Sequence, residues 1–158
     1  MIKKYFELLT ELEVIFSHDK LFKVGSLILD KDSLDVISIG YNKFSSIHNN
    51  DHNRELKINE LNKSPDKYNL ISHAEEIVIN HTKRYNLPLV NNILLVSRFP
   101  CIGCTKLIVD SGLSKVIAYE REVKTEWWDD EPSKKIFLDN GVQLETPIRK
   151  DNWAPYGQ

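Results

Sequence analysis

The chain is poor in cysteine: its 158 residues include two, Cys101 and Cys104. A single C-x-x-C cannot build a disulfide framework, and its spacing suits metal or redox chemistry. Long hydrophobic runs are also missing. No apolar stretch approaches the ~18 residues that span a bilayer. The first residues, Met1-Ile2-Lys3-Lys4-Tyr5-Phe6-Glu7, lack the unbroken apolar segment of a secretory signal. A cytoplasmic protein without a membrane partner is expected. Neither sign of charge is in excess, since 21 Lys and Arg against 23 Asp and Glu leave a net charge of −2. Proteins that track a nucleic-acid backbone usually carry a basic stripe. None is evident, which weighs against a polynucleotide partner. Internal repeats are absent, and the length suits one domain over 1–158 with a real core.

What is present alternates between two periods. Phe6, Leu8, Leu9, Leu12, Ile15 and Phe16 have helical spacing over 5–17. Residues 23–29 read as a buried strand, Asp30-Lys31-Asp32-Ser33 as a turn, and 35–41 as the returning strand. From about 42 to 72 the chain turns polar and loses periodicity, which predicts a functional or partly helical insertion. A helix follows from near His73 to about Arg84, then a strand at 93–97. A second helix starts at the cysteines and ends near Gly112, a C-terminal cap. The strand 116–119, a helix from Ser133 to Asn140 and a short strand at 142–144 complete the pattern. From Thr146 no pattern is legible. Strands alternating with helices imply an α/β layered domain with a mostly parallel second half.

Two fragments carry chemistry: His73-Ala74-Glu75 and Pro100-Cys101-Ile102-Gly103-Cys104. They supply one imidazole, two thiols and a carboxylate two positions from the imidazole. That is the set a zinc deaminase needs, in which a histidine and two thiolates hold Zn²⁺ and a glutamate moves protons without binding the metal. Three protein ligands leave one position of tetrahedral Zn²⁺ open, the catalytic arrangement. Both fragments fall at predicted helix starts, where free N–H groups and a partial positive charge favour thiolate. Pro100 suits such a start because it needs no N–H partner. His73 and Glu75 diverge by about 200° around an ideal helix. They therefore cannot share one ion comfortably, and Glu75 is assigned the proton shuttle.

Other readings compete. Cys101 and Cys104 alone could be a thioredoxin-like redox pair. A structural zinc site normally has four protein ligands, and no fourth is obvious. His73 could be a satisfied core histidine. His48 and His52, four apart in the polar stretch, could bind a second metal or be solvated loop histidines. His18 and His81 carry no signal. Trp127 and Trp128 could wall a pocket, form an oligomer interface or cover a core edge.

At these residues the chain resembles the deoxycytidylate (dCMP) deaminase family, within the cytidine-deaminase-like superfamily, from about residue 5 to 145. Lys23-Val24-Gly25-Ser26 resembles the family's first strand, and Gly40-Tyr41-Asn42 its G-Y-N. Lys67-Tyr68 before His73-Ala74-Glu75 resembles the K-Y…H-A-E of nucleotide-directed members. Residues 99–108 resemble their F-P-C-x-x-C-A-K-L-I. Free-cytidine deaminases usually have cysteine in place of His73, and tRNA adenosine deaminases usually read P-C-x-x-C-A-G-A. The resemblance implies a three-layer αβα sandwich with a five-stranded mixed sheet. It further implies Zn²⁺-dependent hydrolysis of dCMP to dUMP and ammonia, a nucleotide partner and a homo-oligomer. His73, Cys101 and Cys104 are then the metal ligands and Glu75 the catalytic residue. Asn42, Ala74 and Pro100 are candidate substrate contacts. A 5′-phosphate needs cations or N–H donors, and Arg98 and Lys43 are the candidates; a solvated arginine at a strand end is the competing reading of Arg98.

The chain also departs from the pattern. Lys43-Phe44-Ser45-Ser46 stands where the family commonly has a glycine-containing loop that helps hold nucleotide and, in many members, an allosteric dCTP. Little activation by dCTP is expected. Ile77 replaces the usual asparagine of H-A-E-x-N. Alternatives to dCMP are a divergent zinc deaminase acting on another base or a polynucleotide, and a zinc-stabilised nucleotide-binding module without turnover. Intact Glu75 argues against the last, because a binding module needs no proton shuttle.

Overall fold

The strand that the sequence marks as buried, β1 (Gly25–Leu29), lies inside the main sheet of a computed structural model that describes residues 1–121 and 129–149. Trp127 and Trp128 fall outside the described residues. Every residue of β1 is buried, and its side chains alternate between two cores as a pleated strand requires. Leu27 and Leu29 join Ile93, Leu95 and Ile117 beneath Phe6 and Leu9 of helix α1 (Ile2–Phe16). Ile28 joins Leu94, Val96, Val116 and Ala118 in the cluster on the opposite face.

Strand β2 (Val36–Tyr41) returns antiparallel to β1, as the turn at 30–33 predicts. Two short elements, β3 (Lys43–Phe44) and β4 (Ile71–Ser72), pair antiparallel at the two ends of the polar stretch. Between them lie α2 (Arg54–Asn62) and α3 (Lys67–Leu70). Then come α4 (Ala74–Arg84), β5 (Ile93–Val96), α5 (Ile102–Asp110), β6 (Lys115–Ala118), β7 (Glu120–Arg121), α6 (Glu131–Asp139), β8 (Gln143–Glu145) and β9 (Ile148–Arg149). The five-stranded sheet has the order β2-β1-β5-β6-β8. β1 is antiparallel to both neighbours, whereas β5, β6 and β8 run parallel. With α1 on one face and α4, α5 and α6 on the other, the layers are αβα. The tail from Thr146, patternless in sequence, supplies β9, which pairs parallel with β7.

Two details seat α4, the helix that follows His73. A Cβ on Gly40 would lie 2.8 Å from the Ala74 carbonyl oxygen and 2.8 Å from the Val78 nitrogen. Only glycine lets β2 and the first turn of α4 come this close. From β1, the Ser26 hydroxyl donates to the Ala74 carbonyl at 2.8 Å. The start of α4 is thus held by two neighbouring strands.

The polar stretch is partly helical, as expected, and closes on a small core of its own from Phe44, Ile47, Ile58 and Ile71. Its periodicity is hidden because Ile58 is the one buried residue of α2. It docks against His18, which carries no signal in the sequence. Asn62 Nδ2 donates to the His18 carbonyl at 2.7 Å, and the Phe44 N–H donates to His18 Nδ1 at 3.1 Å. The Arg54 guanidinium lies 3.1 Å from Nε2. A protonated imidazole would meet a donor at both nitrogens. Burial, then Arg54 and Lys43, lower its pKa from 6.5 to about 4.

That shift has a sign. The folded value lies below the unfolded one, so His18 contributes stability that is fully present above pH 6.5 and is lost as pH falls towards 4. Between pH 6.5 and 5 the loss is on the order of 2 kcal/mol. His18→Asn keeps an acceptor for Phe44 and should flatten this part of the stability profile. Thermal melts of both proteins across that window test it, and parallel profiles would show that His18 does not titrate there.

Candidate metal centre and cavity

The chemistry-bearing fragments meet at two helix N-termini. His73 is the N-cap of α4 in an extended conformation, with φ −75° and ψ 153°. It makes no side-chain cap, so its imidazole is available to turn towards the cysteines. Cys101 is the N-cap of α5, and its Sγ accepts the Cys104 N–H at 3.5 Å. Pro100 therefore sits one residue before the cap rather than within the helix. His73 Nδ1 lies 3.6 Å from Cys101 Sγ and 3.4 Å from Cys104 Sγ. All three ligand atoms lie within 4.8 Å of one another. Ideal tetrahedral bonds to zinc of about 2.0–2.1 Å for nitrogen and 2.3 Å for sulfur place N and S about 3.6 Å apart. The donor set has the spacing and the soft S₂N chemistry of a zinc site.

Hydrogen bonding within the cluster shifts the proton affinities of all three groups. Cys101 is lowered to about 4, above all by the hydrogen bond from Cys104 and further by His73. Sharing its proton with Cys101, together with burial, pushes the Cys104 thiol far up. The hydrogen bond with Cys101 raises His73 to about 9. A thiolate, a thiol and an imidazole brought this close form a donor set that a divalent cation can bind in place of protons. His73-Cys101-Cys104 fits Zn²⁺.

A cavity of about 500 Å³ opens on this cluster, within the range of small-molecule sites. His73, Glu75 and Cys101 line it, together with Asn42, Ala74 and Arg98. Glu75 is 4 % exposed, and burial raises its pKa to about 7, although its own backbone N–H and His73 draw it down. A carboxyl poised near neutrality can both take and give a proton.

The other site residues predicted from sequence divide. Arg98 is 8 % exposed, with its guanidinium carbon 4.8 Å from the centre of the Phe22 ring. It is not a solvated strand-end arginine. Asn42 is engaged internally: its Oδ1 accepts from the Val24 N–H at 3.0 Å and from the Ser17 hydroxyl, while Nδ2 donates to the Phe22 carbonyl at 2.7 Å. It holds the loop before β1 in the cavity wall. Pro100 and Lys43 do not line the cavity. His48 and His52 join no cluster of three ligating residues among those described.

Sequence reasoning passed over Asp19, Phe22 and Ile71, which also line the cavity. Asp19 and Phe22 lie in the short connection between α1 and β1, which has no periodicity to place it. Tyr68 lines the cavity too, and its signal was the K-Y pair.

Residues 2–120 match the family model described as the cytidine and deoxycytidylate deaminase zinc-binding region. The chain is 28 % identical over 145 residues to an uncharacterized deaminase of the luxG 3′ region of Aliivibrio fischeri, covering 90 % of each. It is 29 % identical over 117 residues to a probable deoxycytidylate deaminase of Drosophila melanogaster, covering 72 % of this chain and 56 % of that one. The fold is similar to that of the dCMP deaminase from the cyanophage S-TIM5, solved with dCMP and dUMP. That likeness has a TM-score of 0.67 and 17 % identity over 92 % of this chain and 95 % of the other. No helix among the described residues is long and apolar enough to cross a membrane. With its five-stranded αβα fold, its His-Cys-Cys cluster and the matching zinc-binding region, the chain belongs to the cytidine and deoxycytidylate deaminase family.

Proposed function

We propose that the chain hydrolyses the exocyclic amine of a cytosine nucleotide, converting dCMP and water to dUMP and ammonia. The observation that carries this reading is the buried Glu75 carboxyl, lining the same cavity as His73 and Cys101 of the ligand cluster. His73, Cys101 and Cys104 would hold zinc, which when bound acts as a Lewis acid that makes water a nucleophile near neutral pH. Glu75 is not a ligand. It takes a proton from the attacking water and delivers it to ring N3 as the C4–O bond forms. It then takes the proton of the new C4 hydroxyl and passes it to the amine as the C4–N bond breaks, leaving a C4 carbonyl, ammonia and the regenerated carboxylate.

Arg98 supports a monophosphate among cytosine species. It is a buried cation in the cavity wall, held against Phe22. The probable deoxycytidylate deaminase of Drosophila and the fold shared with the cyanophage dCMP deaminase point the same way. A charge-assisted hydrogen bond contributes ~1.5–3 kcal/mol, or roughly 10–100-fold. The kcat/KM for dCMP should exceed that for deoxycytidine by at least that factor. Arg98→Met removes the guanidinium that lies over the Phe22 ring while keeping an unbranched apolar side chain, and it should narrow the gap. Equal kcat/KM on the two substrates, with an oligonucleotide included for comparison, would contradict the monophosphate reading.

A further inference from the structure

A deeply buried ion pair joins Asp19 to Lys67: Oδ1 and Nζ are 2.6 Å apart, with the side chains 2 % and 6 % exposed. Neither residue belongs to the ligand set. Such a pair adds little net stability, because desolvating both charges offsets most of their attraction, and apolar residues of similar volume often do as well or better. Its position gives it another use. The same Asp19 Oδ1 accepts the N–H groups of Leu21 at 2.8 Å and Phe22 at 2.9 Å. Lys67 immediately precedes Tyr68, and its Nζ lies 5.3 Å from the centre of the Tyr68 ring. Phe22 and Tyr68 both wall the cavity, with ring centres 6.2 Å apart at 50°. One ring comes from the connection between α1 and β1 and the other from the polar stretch. One carboxylate oxygen therefore fixes the backbone that carries the first ring and the ammonium beside the second.

We propose that Asp19 and Lys67 are positioning residues: their ion pair locks the 42–72 stretch onto the loop before β1 and so sets the Phe22–Tyr68 spacing that holds substrate. This rests on the reading of the cavity as the nucleotide site. Removing one partner alone would strand a buried charge, so the informative variant is the double Asp19→Asn/Lys67→Met. It removes both charges together, and the new amide oxygen can still accept from Leu21 and Phe22.

The zinc-loaded double variant should fold with its metal retained. Its KM for dCMP should rise ~10-fold or more while kcat falls less than ~3-fold, the split expected when substrate is held loosely and the reacting groups are untouched. Amide hydrogen exchange at Phe22 and Tyr68 should quicken ~10-fold, with α5 unchanged. Lys67→Arg keeps the charge pair and should return KM to within ~3-fold of wild type. Unchanged exchange at Phe22 and Tyr68 would overturn the proposal. So would failure of the double variant to fold, or loss of its zinc with kcat falling as far as kcat/KM, since the pair would then be a structural element only. Exchange needs no substrate. If the wild-type chain deaminates no cytosine compound, the functional reading fails by itself and exchange still decides the role of the pair.

Discussion

Glu75→Gln is expected to lower kcat on dCMP by at least ~10²–10⁴-fold, the usual effect of losing a general acid–base group, with zinc content unchanged. The amide is nearly isosteric with the carboxyl and fills the same buried volume, but it cannot take a proton from water or return one to nitrogen. Burial raises the pKa of Glu75 to about 7, above the ordinary 4.5. Its ionised form is therefore destabilised in the fold. A neutral amide removes that penalty, so the melting temperature of the variant at pH 7.5 should equal or exceed that of wild type. Kinetics, metal analysis and a thermal melt on one preparation separate the possibilities. Near wild-type turnover would remove Glu75 from the chemistry, and loss of zinc would show that its side chain supports the metal.

The wild-type chain is expected to carry close to one zinc, and Cys101→Ala and Cys104→Ala should each lose most of it. Two remaining ligands cannot close the site, and metal binding is coupled to folding. Both variants should also melt lower. A loss of ~2–3 kcal/mol lowers the midpoint of a domain this size by roughly 5–10 °C. The two positions are not equivalent. Cys104 is buried in the first turn of α5, whereas Cys101 is exposed and caps that helix through its Sγ. Alanine at 101 removes a ligand and a helix cap, whereas alanine at 104 removes a ligand and leaves a small void. Mass spectrometry under native conditions and calorimetry report the two effects separately. Full zinc retention in both variants would refute the ligand assignment.

The parts of this molecule that are legible in the sequence are those governed by short-range rules. β1 shows itself because all five of its residues are buried between two layers, leaving a run without polar alternation apart from Ser26. The helix starts at His73 and Cys101 are legible because a proline, a C-x-x-C and an H-x-E allow few other readings. The sequence pattern places a short strand at 142–144, and it forms at Gln143–Glu145, one residue later, paired parallel with β6. The cavity wall was much harder to read. Asp19, Phe22 and Lys67 act through contacts across nearly 50 positions, and nothing local to any of them signals a partner that distant. His18 is a similar case, since its ring is meaningful only once Phe44 and Arg54 are folded against it. Lys43 presents the opposite situation. A cation beside the G-Y-N motif suggests a phosphate ligand, but Asn42 faces the cavity and Lys43, the next residue along, does not line it.

The proposed activity is zinc-assisted hydrolysis of the amine of a cytosine nucleotide in this cavity. Its most direct test is the stoichiometry of ammonia and dUMP released from dCMP by chain shown to carry one zinc. One ammonia per dUMP is expected, with activity lost on chelation and restored by adding zinc. No ammonia from dCMP, deoxycytidine or a cytosine oligonucleotide with the metal in place would contradict it.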